Sequence, residues 1–184
     1  MSEIQVTKLD AARRQLFAAL QLYFEDGDPV AIHTLVTAAH EILTVLVKKK
    51  GRLTILDRAK ALATPLFEKQ LLESVRTPQN FFKHGAKDPN ASIGFDTGYM
   101  EFFLFDACLA YGNTESIISG DPTDEPTRIR FAYLAWYFLH RPDMLVADTP
   151  LEKMIRAFEP YKNWSRRDYL AQVRLIRHDW SVSR

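Results

Sequence analysis

Asn80, Lys83 and His84 stand close together in the stretch QNFFKHG, Gln79 to Gly85. A histidine has the only unperturbed side-chain pKa close to neutrality, so it takes and gives protons at physiological pH. Asn80 offers a fixed donor and acceptor, and Lys83 a positive charge for a phosphate or a developing oxyanion. Helical spacing puts Asn80 and His84 on one face, at i and i+4, with Lys83 beside it. Phe81 and Phe82 would anchor the turn in the core. The set suits phosphodiester cleavage by general acid–base catalysis. The plainer reading of the same residues is an Asn–His hydrogen bond that caps a helix end.

Other polar residues fall among apolar ones. Arg13 lies within the arc formed by Leu9, Leu16, Phe17, Leu20, Tyr23 and Phe24, whereas Arg14 lies outside it. A cation there must snorkel, find an acceptor or face a pocket. His33 and His40 are seven residues apart, roughly 10 Å along a helix axis. That is too far for one metal ion to take both, since metal–nitrogen bonds are about 2 Å. Either one is then a boundary, pocket or interface residue. Asp106 shares a sector with Tyr99, Phe102 and Ala110 and needs a partner, Arg13 or a histidine. The single cysteine, Cys108, reads as a buried, inert thiol. Spaced Glu-x-x-His pairs are missing, so no metal or cofactor is expected.

These residues must be positioned by helices, because the apolar pattern has period 3.6 and nowhere a sustained alternation. Thr7 with Asp10 forms a capping-box variant that opens a helix to about Phe24. Asp28-Pro29 opens a second helix, which KKKGR ends near Lys49. Further helices are predicted over 55–63, 65–75, 95–111, 127–140, 150–158 and 165–179, with Pro78 starting the turn that carries QNFFKH and a loop over 85–92. The expected fold is all-α: an up-down bundle of four or five helices over 1–112, followed by a helical annex over 113–184, or one continuous domain. FAYLAWYFL, Phe131 to Leu139, reads as core or subunit interface. Arg166, Arg167, Arg174, Arg177 and His178 share a broad face, either solvated or phosphate-binding.

The 184 residues carry 24 Lys/Arg and 23 Asp/Glu, so overall charge argues neither for nor against nucleic acid. The first ten residues lack the apolar segment of a signal peptide, and no uninterrupted apolar run of about 18 residues exists. A soluble, cytoplasmic protein is expected, with no membrane partner. The apolar excess on 95–111 and 131–139 predicts a homodimer.

KLDAARRQLFAALQLYF, DPVAIHTLVTAAHEIL and NFFKHGAKDP resemble the HEPN-type helical proteins of bacteria, over roughly residues 8–111. That superfamily comprises RNA-cleaving and nucleotide-binding helical bundles of defence and toxin–antitoxin systems. Its signature is an arginine, often followed at once by asparagine, then a histidine after four to six residues. Asn80 and His84 match the asparagine and histidine, and Gln79 stands where the arginine belongs. The resemblance implies a dimer with two motifs facing each other and a metal-independent endoribonuclease, or a degenerate relative that binds RNA or nucleotide without cutting. His84 would be the acid/base. Asn80 would orient it or the phosphate, Lys83 and Arg13 would stabilise charge, and Arg13, His33 and Gln79 would contact substrate. The rival reading is a non-enzymatic interaction or scaffold protein, such as an antitoxin partner, that uses FAYLAWYFL as its contact surface.

Overall fold

The computed structural model describes residues 3–84, 89–114 and 124–175. Among these the chain is all-helical, with no strand. The helices are α1 (Lys8–Phe24), α2 (Pro29–Lys49), α3 (Ile55–Leu62), α4 (Pro65–Lys83), α5 (Thr97–Thr114), α6 (Glu125–Leu139), α7 (Pro150–Arg156) and α8 (Arg166–Leu175). The loop reading over 85–92 lies partly outside the described residues, and the stretch of the last helix beyond 175, with Arg177 and His178, lies wholly outside them.

Local chemistry accounts for most boundaries. Thr7 and Asp10 form a reciprocal capping box at the start of α1. Asp28 accepts from the Ala31 amide and Pro29 takes the first helical position of α2. Between these helices the left-handed residue is Asp26, at φ 54°. Gly27 follows it and donates to the Leu22 carbonyl at 2.8 Å. A β-carbon on Gly27 would lie 3.0 Å from that same oxygen, so the close approach favours glycine.

α4 departs from expectation. It runs unbroken through Pro78 to Lys83, so QNFFK is its last stretch and not a separate turn. An interior proline removes one helix bond and costs about 3 kcal/mol in isolation. Here Pro78 is buried and α4 packs on α2, and that tertiary burial offsets the local cost.

α5 is central. Residues Phe103 to Cys108 are all buried, which on a helix means burial on every side. It packs chiefly against α2, and α2 in turn against α1. α6 lies across α1 and α5, and α8 closes over α1 and α6. One apolar core runs through these five helices. FAYLAWYFL belongs to it, with Ala132, Tyr133, Ala135, Tyr137, Phe138 and Leu139 buried. On the same helix Phe131 stays exposed, and Leu134 and Trp136 are part-buried.

α2 has a mean hydropathy of 1.7 and is, by length and composition, apolar enough to cross a bilayer, which an eye for uninterrupted runs passes over. In this fold its apolar residues Ile32, Val36, Ala39, Leu43 and Val47 are buried core.

Candidate functional site

The last turn of α4 presents Asn80, Lys83 and His84 to solvent, with Gln79 half-buried. Backbone bonding is regular here, His84 N–H donating to the Asn80 carbonyl at 3.0 Å. Phe81 and Phe82 divide the anchoring unequally. Phe81 stays 38% exposed. Phe82 turns inward and meets the His33 ring edge-on at 5.8 Å and Phe95 at 5.2 Å.

His33 is the buried counterpart of this surface. Its exposure is 0%, and three phenylalanine rings enclose it: Phe82, Phe95 at 4.9 Å and Phe103 at 5.6 Å. Neither ring nitrogen has a hydrogen-bond partner among the described residues. Burial, and next the charge of Lys83, push its pKa down to about 4. The imidazole is therefore neutral near pH 7. Sequence spacing suggested a boundary position, but this part of α2 is sealed because α4 and the residues before α5 both fold over it.

Arg13 does not join this set. Its side chain is 45% exposed and pairs with Asp10 at 3.6 Å, one turn back on α1. An arc drawn through the large residues of α1 centres on Arg13. The buried stripe is also set by Ala12 and Ala19, which pull its centre away from Arg13. The arginine that the core does bury is Arg130 of α6, which donates to the Cys108 carbonyl at 3.4 Å and lies over Phe131 at 4.9 Å.

Asp106 has the histidine partner expected of it. Its Oδ2 meets His40 Nε2 at 2.9 Å. The same carboxylate accepts the Ile55 amide at 2.9 Å and the Leu56 amide at 3.1 Å, at the start of α3. Burial pushes this carboxyl up, but the bond from His40 and the two backbone donors outweigh it and hold the pKa below its ordinary value. His40 and His33 thus serve different neighbours, one a carboxylate and the other an aromatic cage. Cys108 is fully buried, and burial pushes its thiol up to about 12.

Arg76, which no sequence argument placed in the site, shares an open groove of about 470 Å³ with Asn80, Lys69, Glu68 and Glu73 along α4. Arg76, Asn80 and His84 follow one another at four-residue steps, so they form one row. Of the three described residues of the basic face read on the last helix, two are paired within the fold, Arg166 with Asp26 at 2.6 Å and Arg174 with Glu125 at 2.6 Å, and Arg167 is exposed.

A larger cavity, about 580 Å³, opens between α1, α2, α5, α6 and the start of α8. Glu101 stands in its wall, accepting Tyr23 Oη–H at 3.1 Å and Arg141 Nη2–H at 2.5 Å. Burial, and next the Glu101 charge, push Tyr23 up to about 12, so it remains a donor. Trp136, His140 and Arg166 complete the polar and aromatic lining. Glu101, like Asp106, is a carboxylate on an otherwise apolar helix, but only Asp106 fell among residues that made its burial evident.

No protein-family model matches the chain, and no match is found among curated proteins or solved structures.

Proposed function

We propose that the chain is an RNA- or nucleotide-binding protein of HEPN-like character, acting through the last turn of α4. The observation that carries this is the joint exposure of Asn80, Lys83 and His84 on a turn pinned from below by Phe82. A lysine and an asparagine beside a titratable imidazole suit a phosphate diester. Arg76 supplies the guanidinium that Gln79 does not. It lies about 12 Å from His84 along the axis, so it suits a neighbouring phosphate better than the one His84 would act on. Binding is therefore the primary reading, and metal-independent cleavage by His84 follows if a second copy completes the site. In this proposal residues 1–112 form an up-down bundle of four or five helices with residues 113–184 as its helical annex, and the protein is a cytoplasmic homodimer.

The test is binding and cleavage of mixed RNA in the presence of EDTA. Lys83→Ala and Arg76→Ala should each weaken binding by about 10-fold, less at high salt. If cutting occurs, His84→Gln should lower it by about 10² while binding and folding persist. A wild type that neither binds nor cuts RNA or nucleotides refutes the proposal. One observation favours the rival interaction protein: Leu62 and Leu66 are 89% and 68% exposed at the α3–α4 corner. A Leu62→Glu variant that loses self-association while wild type ignores RNA would decide for it.

A further inference from the structure

The cavity beside Glu101 has no part in the reading of α4. We propose that it binds a small ligand made of a planar ring bearing one anionic group, a carboxylate or a phosphate monoester. Its volume of about 580 Å³ falls within the roughly 300–1,000 Å³ typical of ligand sites.

The wall has more donors than it can use. A guanidinium carries five N–H donors. Arg141 has one carboxylate partner, Glu101, and Arg166 has one, Asp26. Both oxygens of Glu101 are already taken, one by Tyr23 and one by Arg141. Among the described residues no other acceptor pairs with either arginine, and a guest rich in acceptors would complete them. Both guanidiniums are also held in place. Arg141 lies 4.2 Å over the Tyr137 ring and Arg166 4.4 Å over the Tyr23 ring. Their side chains are only 35% and 32% exposed. Groups already ordered and partly dried lose little on binding.

Charge limits the guest to a small anion. Glu101 and Asp26 balance Arg141 and Arg166, and the capping carboxylates Asp28 and Asp96 immediately precede the lining residues Pro29 and Thr97 in the chain. A polyanion would meet these carboxylates, whereas a single anionic group can sit on the spare guanidinium donors.

The ring follows from Trp136. Its side chain and that of His140, ring centroids 4.3 Å apart, form an aromatic wall of the cavity, and Tyr169 meets the indole edge-on at 5.0 Å. His140 Nδ1 is 2.9 Å from the Trp136 carbonyl. A carbonyl only accepts, so Nδ1 carries the hydrogen, and Nε2 is the ring nitrogen left for another partner. The aromatic wall thus offers ring surface with one nitrogen beside it, matched to a planar ring with a polar edge.

Isothermal titration calorimetry with adenosine 5′-monophosphate, indole-3-acetate, adenosine and inorganic phosphate tests this. Wild type should bind at least one of the first two at one site per chain, and adenosine and phosphate at least about 10-fold more weakly. Which of the two binds identifies the anionic group. Arg166→Gln should weaken binding at least about 10-fold while its circular dichroism stays that of wild type. Lys83→Ala should bind the same ligand as wild type does, which separates this site from the α4 surface. The proposal is overturned if neither ring-bearing anion binds at millimolar concentration, if adenosine binds as tightly as its phosphate, if Arg166→Gln has no effect, or if Lys83→Ala abolishes binding.

Discussion

Replacing His33 by leucine isolates what an imidazole sealed among three phenylalanines does to stability. In the folded chain its pKa is pushed down to about 4, against an ordinary value of 6.5. Between these values the unfolded chain binds a proton that the folded chain refuses, so folding loses stability as pH falls. The contribution is complete above the unfolded value and falls through the window from 6.5 down to 4, below which it changes no further. Each pH unit in that window is worth about 1.4 kcal/mol, so moving from about pH 6.5 to about pH 5 costs roughly 2 kcal/mol. That is a sizeable share of the roughly 5–15 kcal/mol that holds an ordinary domain together. Leucine fills a similar space and has no nitrogen to leave unpaired, so near pH 7.5 the variant should match wild type or exceed it slightly. Urea denaturation followed by far-UV circular dichroism, at several pH values for both proteins, measures the difference directly. All other ionisable groups are common to both proteins, so the difference isolates position 33. Two stability curves that run parallel from about pH 7.5 to pH 5 would refute the argument, because His33 would then be titrating freely.

Asp106→Ala leaves the His40 nitrogen and the Ile55 and Leu56 amides without their shared acceptor. It should cost about 3–5 kcal/mol in the same denaturation assay, and Asp106→Asn, which keeps one carbonyl acceptor, should cost less. Because the folded pKa of Asp106 is depressed, its contribution should be present above 3.8 and disappear as pH falls below it, and the Asn variant should lack that acid-side loss. Cys108 should not react with a thiol reagent near pH 8 until the chain is unfolded in urea, since it is fully buried and protonated. Arg13→Ala and Arg14→Ala should give indistinguishable melting temperatures, because both side chains are exposed.

Helix starts were legible because they are written in side-chain chemistry next to the backbone they satisfy, as at Thr7 with Asp10 and at Asp28-Pro29. The course of α4 was not, because Pro78 is a local stop signal overruled by burial against a helix some forty residues earlier in the chain. The arc on α1 misled for a related reason: alanines add little to an apolar pattern, yet Ala12 and Ala19 mark where α1 lies against its neighbours. The polar row of α4 could be read from spacing alone, since i and i+4 fix a face. The cavity could not, because Tyr23, Glu101, Arg141 and Arg166 meet only after four separate segments have packed.

The carboxylate of Asp106 also sets an order of events. α3 is a helix of eight residues, too short to persist alone. Two of its first amides are capped by a group 51 and 50 residues downstream, and that group meets His40 from 66 residues away. During synthesis from the N-terminus, α1 and α2 can pair as soon as both have left the ribosome. The first turn of α3 has a local cap in Thr54, which accepts the Asp57 amide at 3.1 Å, but its Ile55 and Leu56 amides lack their acceptor until α5 has emerged and docked. The Ile55 and Leu56 amides therefore become protected from solvent exchange only after α5 has docked, and they should lose that protection when α5 is pulled away.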